Sequence, residues 1–305
     1  MSVCQMCPRR CGADRANGAL GYCGVSATVR IARAALHMWE EPVISGTRGS
    51  GTIFFCGCNL QCVYCQNKAI SRGQAGRELS ADHLERVMLR LAEAGAHNLN
   101  LVTPTHYARQ LIPVLERVRS RISIPVVYNC GGYESVQTLR MLDGLVDIYL
   151  PDLKYFDPQL SARYSGAPDY FEVASAALGE MLRQTGAPQI GDDGLLQKGV
   201  VVRHLVLPSC RKDSIALLRS LAEQFGANAS WLSLMRQYTP EFALDTPYPE
   251  LHRRVTSFEY ESVRREAIAL GFEGCMQDRT AATSDYTPDF YQTSFLDIDS
   301  ECSRL

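Results

Sequence analysis

The sequence predicts an α/β fold in which helices cover a parallel β-sheet. Between residues 51 and 272, short apolar runs rich in β-branched residues alternate with longer segments of helical periodicity. The alternation amounts to about six β–α units, and buried strands of this type pair in parallel. The chain of 305 residues, 46% hydrophobic and 21% charged, is long enough to bury such a core. The sheet is expected either to close partly, as in a barrel, or to stay open and doubly wound.

The predicted elements follow one another regularly along the chain. Residues 51–55 form the first strand, and a loop with four cysteines follows it directly. The next segment is a helix over 80–95, with Ser80 as its N-cap and apolar residues at i, i+3, i+4 and i+7 from Leu84. Later strands are expected at 98–104, 124–130, 146–154, 199–208 and 230–238, and the helices after them at 105–121, 134–145, 168–186, 213–226 and 257–271.

Charge and cysteine content exclude some classes of partner and location. The net charge of -2 gives no general attraction to nucleic acid, so nucleic acid is not an expected partner. The opening "MSVCQMCPRRCGADR" has no apolar region of a secretory signal, and no stretch approaches the roughly 20 apolar residues of a membrane span. We therefore expect a cytoplasmic protein without a membrane partner, whose twelve cysteines serve metal binding or reactivity rather than disulfides.

Polar residues stand at the expected carboxyl ends of several strands. They are Thr103 and Thr105 at the second strand, Asn129 at the third, and Asp152 and Lys154 at the fourth. In sheets of this type ligands bind at that edge, because the loops there meet around one crevice. The sequence therefore makes these residues candidates for binding.

The loop after the first strand, "CGCNLQCVYC", carries the most specific pattern in the chain. Cys58, Cys62 and Cys65 have the spacing C-x3-C-x2-C, and three thiolates alone do not complete a tetrahedral zinc site. They do suit a [4Fe-4S] cube in which one iron has no protein ligand and can bind a substrate or cofactor. Two alternatives stay open: a zinc site with Cys56 as its fourth ligand, and a redox-active C-x-x-C pair. Outside a zinc site, we expect Cys56 to be a packed small side chain.

With Tyr64 directly before its last cysteine, this loop resembles that of the radical S-adenosylmethionine (SAM) enzymes. The longer segment "GSGTIFFCGCNLQCVYCQNKAIS" is similar to the branch that contains pyruvate formate-lyase-activating enzymes. Within that branch, an activase-homologue subfamily of unsettled substrate has segments similar to "CPRRCG", "AHNLNLVTPTHY", "YNCGGYES", "DIYLPDLKY", "RHLVLP" and "SLMRQYTP". The resemblance covers nearly the whole chain. It implies a partial (β/α)6 barrel of the TIM type with a small N-terminal cysteine-rich knuckle.

The resemblance also implies a chemistry and partners. In the family, the open iron of the [4Fe-4S] cluster chelates SAM, and one electron cleaves SAM to methionine and a 5′-deoxyadenosyl radical that abstracts hydrogen from a substrate. An activase would act on the backbone of a glycyl radical enzyme and take its electron from a low-potential flavodoxin or ferredoxin. The alternative is radical chemistry on a peptide side chain, a small molecule or RNA. A hypothesis outside this class is a non-catalytic iron–sulfur or zinc protein.

Several residues take positions that bind SAM in the family. Tyr64 stands where an aromatic residue lies near the adenine, and Asn67 is assigned to the same cofactor site. Asp152 and Lys154 match the D-x-K of the activating-enzyme branch. There Lys154 would pair with the SAM carboxylate, and Asp152 with a ribose hydroxyl or the amino group. A plain salt bridge at the strand end is the alternative for this pair.

Three further candidates depart more from the family pattern. Thr103 and Thr105 stand where many radical SAM enzymes have Gly-Gly-Glu. A hydroxyl or carbonyl there is expected to accept from the SAM amino group, unless these residues serve a turn or helix cap. Asn129 precedes two glycines that allow close backbone approach, and it is either a cofactor ligand or a turn residue.

Two polar side chains interrupt the apolar strand "VVVRHLVL". Neighbouring residues of a strand face opposite ways, so one of Arg203 and His204 should face the ligand side of the sheet and the other the helices. A buried charge needs a partner, and a SAM carboxylate would supply one, so we expect at least one of them in the cofactor site. His106, just after the second strand, either contacts substrate or is an exposed residue at a helix start.

A second group of cysteines lies near the N-terminus. Cys4, Cys7, Cys11 and Cys23 have the spacing C-x2-C-x3-C-x11-C, and four thiolates suffice for a structural zinc or a complete [4Fe-4S] cluster. A second cluster is slightly favoured because the chain already recruits one, and free thiols are the alternative. Together the patterns predict three segments: a cysteine-rich metal-binding segment over 1–27, the barrel over 28–275, and a C-terminal tail or cover over 276–305.

Overall fold

The computed structural model describes residues 3–73, 75–277 and 290. In chain order its strands are β1 (Val29–His37), β2 (Ser50–Phe55), β3 (Arg77–Leu79), β4 (Leu99–Val102), β5 (Val126–Cys130), β6 (Ile148–Pro151), β7 (Gln189–Ile190), β8 (Leu196–Leu205), β9 (Trp231–Met235) and β10 (Gly274–Met276). Its helices are α1 (Pro42–Ser45), α2 (Lys68–Ser71), α3 (Ala81–Glu93), α4 (Ala108–Arg119), α5 (Val136–Arg140), α6 (Pro158–Ser165), α7 (Tyr170–Thr185), α8 (Arg211–Phe225) and α9 (Ser257–Ala269). Short 3-10 turns lie at Arg15–Asn17, Thr105–Tyr107, Pro240–Phe242 and Pro249–His252.

The described strands form one sheet in the order β10-β9-β8-β6-β5-β4-β2-β1-β3, with β7 paired to β8. Neighbours from β2 to β10 are parallel, whereas β1 pairs with β2 and β3 in antiparallel fashion. Within the described chain, helices follow each of β2, β4, β5, β6, β8 and β9, which confirms the six predicted β–α units. The path ends at β10 and β3 without joining, so the α/β sheet is a partial barrel.

Strands β1, β3, β7 and β10 are not among the predicted elements, and β7 has only two residues. In β1, Arg30 and Arg33 interrupt the apolar residues, so no continuous run marks the strand. Pairing with β2, all of whose residues are buried, holds β1 in the sheet instead. β3 and β10 have three residues each, which is too short for a periodic signal.

The sheet extends past residue 275, the predicted end of the barrel segment. β10 reaches Met276 beside β9, and the Gln277 N–H donates to the Leu234 carbonyl at 3.1 Å. The rest of the predicted tail lies outside the described residues, with the exception of Phe290. Phe290 is described, and its ring meets that of Phe54 edge-on with 5.5 Å between centroids.

The helices cover the outer face of the sheet through their buried stripes. Ser80 caps α3 as predicted, because its Oγ accepts from the His83 N–H at 3.2 Å. The buried Leu84, Val87 and Leu91 of α3 join the main core between sheet and helices. Among the described residues, no helix combines the length and apolar character needed to cross a membrane.

The inner face of the sheet carries polar residues at one end and an apolar cluster at the other. Alternate residues of a strand share a face, so Asn100 in β4, Asn129 in β5 and Arg203 in β8 point inward. Nearer the amino ends of the strands, Ile44 of α1 packs on the inner face against Val127, Ile148, Leu150, Leu196 and Val201. At the carboxyl ends the inner face borders a cavity.

Candidate functional site

A cavity of about 1070 Å³, partly open to solvent, lies at the carboxyl ends of β4, β5, β6 and β8. Residues 56–73, hereafter the cluster loop, form one wall, and the strand ends form the other. The predicted site residues that line this cavity are Cys58, Cys62, Tyr64, Cys65, Asn67, Thr103, Asn129, Asp152, Lys154 and Arg203. The fold thus brings candidates from distant parts of the chain to one place.

The cluster loop leaves β2 through a glycine whose conformation is difficult for other residues. Gly57 has a φ of +86°, and a Cβ atom there would lie 2.6 Å from the Cys23 carbonyl oxygen. Gln61 also has a positive φ, 52°, and its side-chain amide donates to the Tyr22 carbonyl at 2.6 Å. With these turns in place, three cysteines of the loop line the cavity.

Neighbouring groups donate hydrogen bonds to the sulfur atoms of the cluster loop. The Leu60 N–H donates to Cys58 Sγ at 3.4 Å, and the Ser165 hydroxyl donates to Cys62 Sγ at 2.9 Å. Burial raises the pKa of Cys58 to about 12 and raises that of Cys65 as well. These thiols therefore need a bound cation to become thiolates, which are the form that binds metal.

The donor set fits a [4Fe-4S] cluster better than zinc. Cys56, the candidate fourth zinc ligand, is fully buried beside Phe54, Ile70 and Val102 and does not line the cavity. Within residues 3–73, 75–277 and 290, no three His, Cys, Asp or Glu side chains are already spaced to hold a metal ion, and this includes both cysteine groups, so each group would have to close around its metal. Three thiols around one roomy cavity match a cube that takes three protein ligands and leaves one iron open.

A connected network of charged and amide side chains crosses the strand ends. Lys154 Nζ donates to Asp152 Oδ2 at 2.6 Å, and Arg203 Nε donates to Asp152 Oδ1 at 2.8 Å. The Arg203 guanidinium also donates to Asn129 Oδ1 at 2.8 Å, and Asn129 Nδ2 donates to Glu40 Oε2 at 2.5 Å. These partners restrict the rotamers of the side chains before any ligand binds.

The charges of this network are paired within the protein. Burial alone would raise the pKa of Asp152, but Arg203 and Lys154 lower it, so the carboxylate is ionised. Burial likewise opposes the charge of Lys154, yet Asp152 raises the pKa of Lys154 above its ordinary value. Arg203 therefore has a charge partner within the protein and does not need a SAM carboxylate. An anionic group of a ligand would interact with Lys154 and Arg203 while both remain paired with Asp152.

Three other lining residues offer contacts to a ligand. The Tyr64 and Tyr155 hydroxyls are 2.7 Å apart, which fixes the Tyr64 ring at the cavity wall. Asn67 Oδ1 is buried and has no hydrogen-bond partner among the described residues, so it is an available acceptor. Thr103 has a φ of 59°, which is strained for a β-branched residue, and such strain is concentrated at functional sites.

Thr105, a predicted cofactor-binding residue, lies outside this cavity. Its hydroxyl donates to Glu134 Oε1 at 2.6 Å, and Tyr128 donates to the other carboxyl oxygen at 3.3 Å. Burial raises the pKa of Glu134 to about 8, and hydrogen bonds from Thr105, Tyr128 and Cys130 oppose that shift. The Thr105 hydroxyl is therefore occupied by a hydrogen bond to a buried acidic side chain, and it does not face the cavity in which the ligand contact was expected.

The two histidine candidates also lie outside the cavity. His204 faces outward, opposite Arg203, with its Nδ1 2.6 Å from the Leu153 carbonyl oxygen, and burial lowers its pKa to about 4. His106 is buried rather than exposed, and its Nε2 lies 2.8 Å from the Cys56 carbonyl oxygen. Of the Arg203–His204 pair, the arginine is thus the one on the ligand side.

The acidic pair Glu40 and Glu41 was not among the candidates, yet both residues face the inner surface. Glu40 accepts from Asn100 as well as from the network above, at 2.9 Å from Asn100 Nδ2. Glu41 Oε2 accepts from the Ser233 hydroxyl at 2.7 Å, and burial raises the Glu41 pKa although Arg203 opposes the shift. The sequence signal that could have found them is an acidic pair directly before the proline that begins α1.

A second cavity of about 1500 Å³ adjoins the first on the side of β1, α1 and β10. The residues that line both cavities are Gln66, Asn67, Val102, Asn129, Arg203, Met235 and Gln237. The two cavities are therefore direct neighbours that share these side chains. Met38 and Trp39 line the second cavity and are 43% and 59% exposed, so its otherwise largely polar lining includes two exposed apolar side chains.

The N-terminal cysteines also lie close together, in residues 3–27, hereafter the N-terminal knuckle. The Cys4 thiol hydrogen-bonds to Cys11, and a Cβ atom on Gly21 would lie 3.2 Å from Cys23 Sγ and 3.4 Å from Cys11 Sγ. Cys7 and Cys23 are buried, and burial raises the pKa of Cys7 to about 12. Four neighbouring thiols are a complete donor set for a tetrathiolate centre.

The sequence comparisons find one family and one long relative. The family model described as Radical SAM superfamily matches residues 52–188. The uncharacterized protein MJ0674 of Methanocaldococcus jannaschii is 30% identical over 268 residues, which are 85% of this chain and 72% of that protein.

Solved structures with similar folds include two that this chain spans only in part. SuiB of Streptococcus suis, bound to S-adenosylmethionine, is 13% identical with a TM-score of 0.47, over 79% of this chain and 52% of that chain. The FeFe-hydrogenase maturase HydG from Carboxydothermus hydrogenoformans is 13% identical with a TM-score of 0.49, over 77% of this chain and 59% of that chain. The chain thus spans little more than half the length of these two proteins.

Proposed function

The chain belongs to the radical SAM superfamily, and we propose that it is an activase-like enzyme that abstracts hydrogen from a protein substrate. When bound, the [4Fe-4S] cluster supplies the electron that cleaves SAM to methionine and a 5′-deoxyadenosyl radical. One observation carries the proposal: the three thiols of the cluster loop and the network around Asp152 line the same cavity. One set of residues can bind the cluster and the other can bind SAM.

In this proposal Cys58, Cys62 and Cys65 would hold a [4Fe-4S] cluster and would leave it one open position for SAM. Lys154 and Arg203 provide the positive charge on the carboxylate side of the ligand. Because these cations are already held by a carboxylate partner, little rotamer freedom is lost when SAM binds. The residues thus contribute to the reaction by orienting the ligand.

Further contacts to SAM are proposed from the remaining wall of the cavity. The available Asn67 oxygen accepts a hydrogen bond from SAM. Thr103 lines the same cavity, and its strained backbone supports a second ligand contact there. Tyr64 lies beside the adenine, as the resemblance implies. Thr105 and His204 are not part of the proposed site, because their side chains bond to other groups outside the cavity.

The substrate is proposed to enter through the second cavity, which adjoins the first. Exposed Met38 and Trp39 at its rim suit contact with a protein, since apolar and aromatic residues are common at protein interfaces. This rim supports the backbone of a glycyl radical enzyme as the substrate. The proposal also includes a low-potential flavodoxin or ferredoxin as electron donor, a cytoplasmic location, and a second [4Fe-4S] cluster or zinc at the N-terminal knuckle.

Formation of 5′-deoxyadenosine tests the radical chemistry. Anaerobically reconstituted and reduced wild type should form it from SAM, and Cys58→Ala should not. Cys56→Ala is the matched control, because Cys56 belongs to the same loop but lies outside the cavity, and it should retain activity. If wild type forms no product and SAM leaves the EPR signal of the reduced cluster unchanged, the proposal is refuted.

The activase role needs a second experiment. Pyruvate formate-lyase is added as the probe, and a glycyl radical EPR signal on it would establish the role. Steady 5′-deoxyadenosine formation with no such signal, but with stimulation by a small-molecule extract, would favour the alternative substrate class.

A further inference from the structure

The N-terminal knuckle lies directly against the cluster loop. The Cys58 N–H donates to the Cys23 carbonyl at 3.2 Å, so one hydrogen bond joins a residue of each cysteine group. Gln61, between two cluster cysteines, donates from its side-chain amide to the Tyr22 carbonyl at 2.6 Å. The two segments therefore meet at the backbone of the cysteines themselves.

Arg9 of the knuckle makes a third connection. Its Nε donates to the Asn59 carbonyl at 2.7 Å, and its guanidinium donates to the carbonyls of Ser165, at 2.7 Å, and Gly166. Ser165 is the residue whose hydroxyl donates to Cys62 Sγ at 2.9 Å. One arginine thus connects the knuckle to the cluster loop and to the neighbour that hydrogen-bonds a cluster cysteine.

The backbones of the two segments approach too closely for larger residues. A Cβ atom on Gly57 would lie 2.6 Å from the Cys23 carbonyl oxygen, and one on Gly24 would lie 2.7 Å from the Arg72 carbonyl oxygen. Gly57 stands near the start of the cluster loop and Arg72 near its end. The knuckle therefore contacts both ends of the loop.

The knuckle itself contains little that can order it. Its regular structure among residues 3–27 is the 3-10 turn Arg15–Asn17. Arg15 is buried and donates to the His106 carbonyl at 2.6 Å, which ties the knuckle to the barrel. Within the knuckle it donates to the Val25 and Ser26 carbonyls at 3.1 and 2.6 Å. A segment of this size buries too little apolar surface to fold alone, and metal binding is the common substitute.

We propose that a tetrathiolate metal centre at Cys4, Cys7, Cys11 and Cys23 orders the knuckle and thereby holds the cluster loop in its SAM-binding shape. The proposal rests on the proposed function, since it takes the loop to bind the SAM cluster. When the knuckle loses its metal, the carbonyls and the guanidinium that hold the loop lose their positions. Occupancy of the knuckle site therefore regulates the SAM site.

Metal analysis of a variant without the SAM cluster tests the first step. Cys58→Ala/Cys62→Ala/Cys65→Ala in the full chain removes the cluster ligands and leaves the knuckle cysteines intact. After anaerobic purification with iron and zinc present, we expect about one zinc, or about four iron with four sulfide, per chain. Either result supports the proposal and identifies the centre. A folded variant with no bound metal would overturn it.

The effect on the cluster loop is tested with Cys11→Ser. Cys11 is exposed, so the substitution removes a ligand with little change in packing. We expect loss of the knuckle metal, faster release of the loop cluster to a chelator, and about tenfold weaker SAM binding, read from the EPR signal of the reduced cluster. Cys210→Ser, at the N-cap of α8 where serine is well tolerated, is the matched control and should behave as wild type.

Two outcomes separate this inference from the proposed function. If Cys11→Ser loses the knuckle metal but keeps wild-type cluster release and SAM binding, the regulatory role is wrong and the proposed function stands. If SAM fails to bind wild type, the proposed function is wrong, while cluster release and the metal content of the triple variant still decide whether the knuckle metal holds the loop.

Discussion

The two cysteine groups of this protein lie side by side but depend on different supports. The cluster loop follows β2, whose residues are all buried, and contains the short helix α2, so the sheet positions it. The knuckle has one short turn among its described residues and depends on contacts to the barrel, such as that of Arg15 with the His106 carbonyl. A metal site on the cluster loop would thus be positioned largely by the fold, whereas one in the irregular knuckle would need its metal to form.

Metal removal should separate the two groups most strongly. In protein stripped of metal under anaerobic conditions, amide exchange in the knuckle should rise by about two orders of magnitude, because its hydrogen bonds lose their support. The N–H groups of Cys4 and Gly12, which bond to Ala13 and Cys4, report on this change. Those of β4 and β5 should stay protected. Equal exchange in both regions would contradict the comparison.

The stability of the cavity wall around Asp152 should depend on ion pairs rather than on metal. Asp152→Asn leaves Lys154 and Arg203 without their carboxylate, and we expect a loss of about 3–5 kcal/mol in the free energy of unfolding. Glu40→Gln should cost less, because Glu40 Oε1 is 3.6 Å from the Arg203 guanidinium. Thermal unfolding of both variants measures the difference. A loss at Glu40 that matches the loss at Asp152 would show that the network is not centred on Asp152.

The free energy of unfolding should depend on pH through Glu134, which lies in the layer between the sheet and the helices. Burial raises its pKa to about 8 from an ordinary 4.5, so between these values the folded protein binds the proton more tightly than the unfolded chain. The contribution of Glu134 to the free energy of unfolding is therefore fully present below pH 4.5, and it is lost as the pH rises toward 8. Relative to Glu134→Gln, wild type should lose roughly 3 kcal/mol between pH 5.5 and 8. Parallel unfolding profiles of the two proteins would contradict the raised pKa.

The smallest effect is expected from one hydrogen bond at the cluster loop. Ser165→Ala removes the hydroxyl that donates to Cys62 Sγ, and the reduction potential of the loop cluster should become roughly 50 mV more negative. An EPR-monitored redox titration measures the shift. Ser161→Ala in the same helix is the control, because the Ser161 hydroxyl donates to the Pro158 carbonyl instead. An equal shift in both variants would exclude a specific role for the Ser165 bond.

Local patterns in the sequence were enough for the fold class and for three cysteines that line one cavity; cluster binding by these cysteines stays a prediction. Six β–α units follow from periodicity, and the cysteines Cys58, Cys62 and Cys65 follow from spacing within one loop. The strand "VVVRHLVL" predicted that Arg203 and His204 face opposite ways but not which one faces the ligand. That choice depends on how β8 pairs with β6 and β9, and no local signal reports it.

Contacts between distant segments were beyond local patterns. Glu40 reaches Asn129 from a segment before β2, and Thr105 turns to Glu134 rather than to the cavity. Arg9 contacts Ser165 and Gly166 across more than 150 positions of chain. Periodicity describes which face of an element is apolar, whereas such contacts depend on the distance and orientation between elements.

The sequence by itself determined the α/β class, the six units and the two cysteine groups, because side-chain period and ligand spacing are properties of short segments. Only the tertiary structure decided that Arg203 is paired with Asp152, that Thr105 serves Glu134, and that the knuckle lies on the cluster loop. The physical reason is that buried charges and hydrogen-bonding groups must find partners, and the packed fold alone decides which groups are near enough to satisfy them.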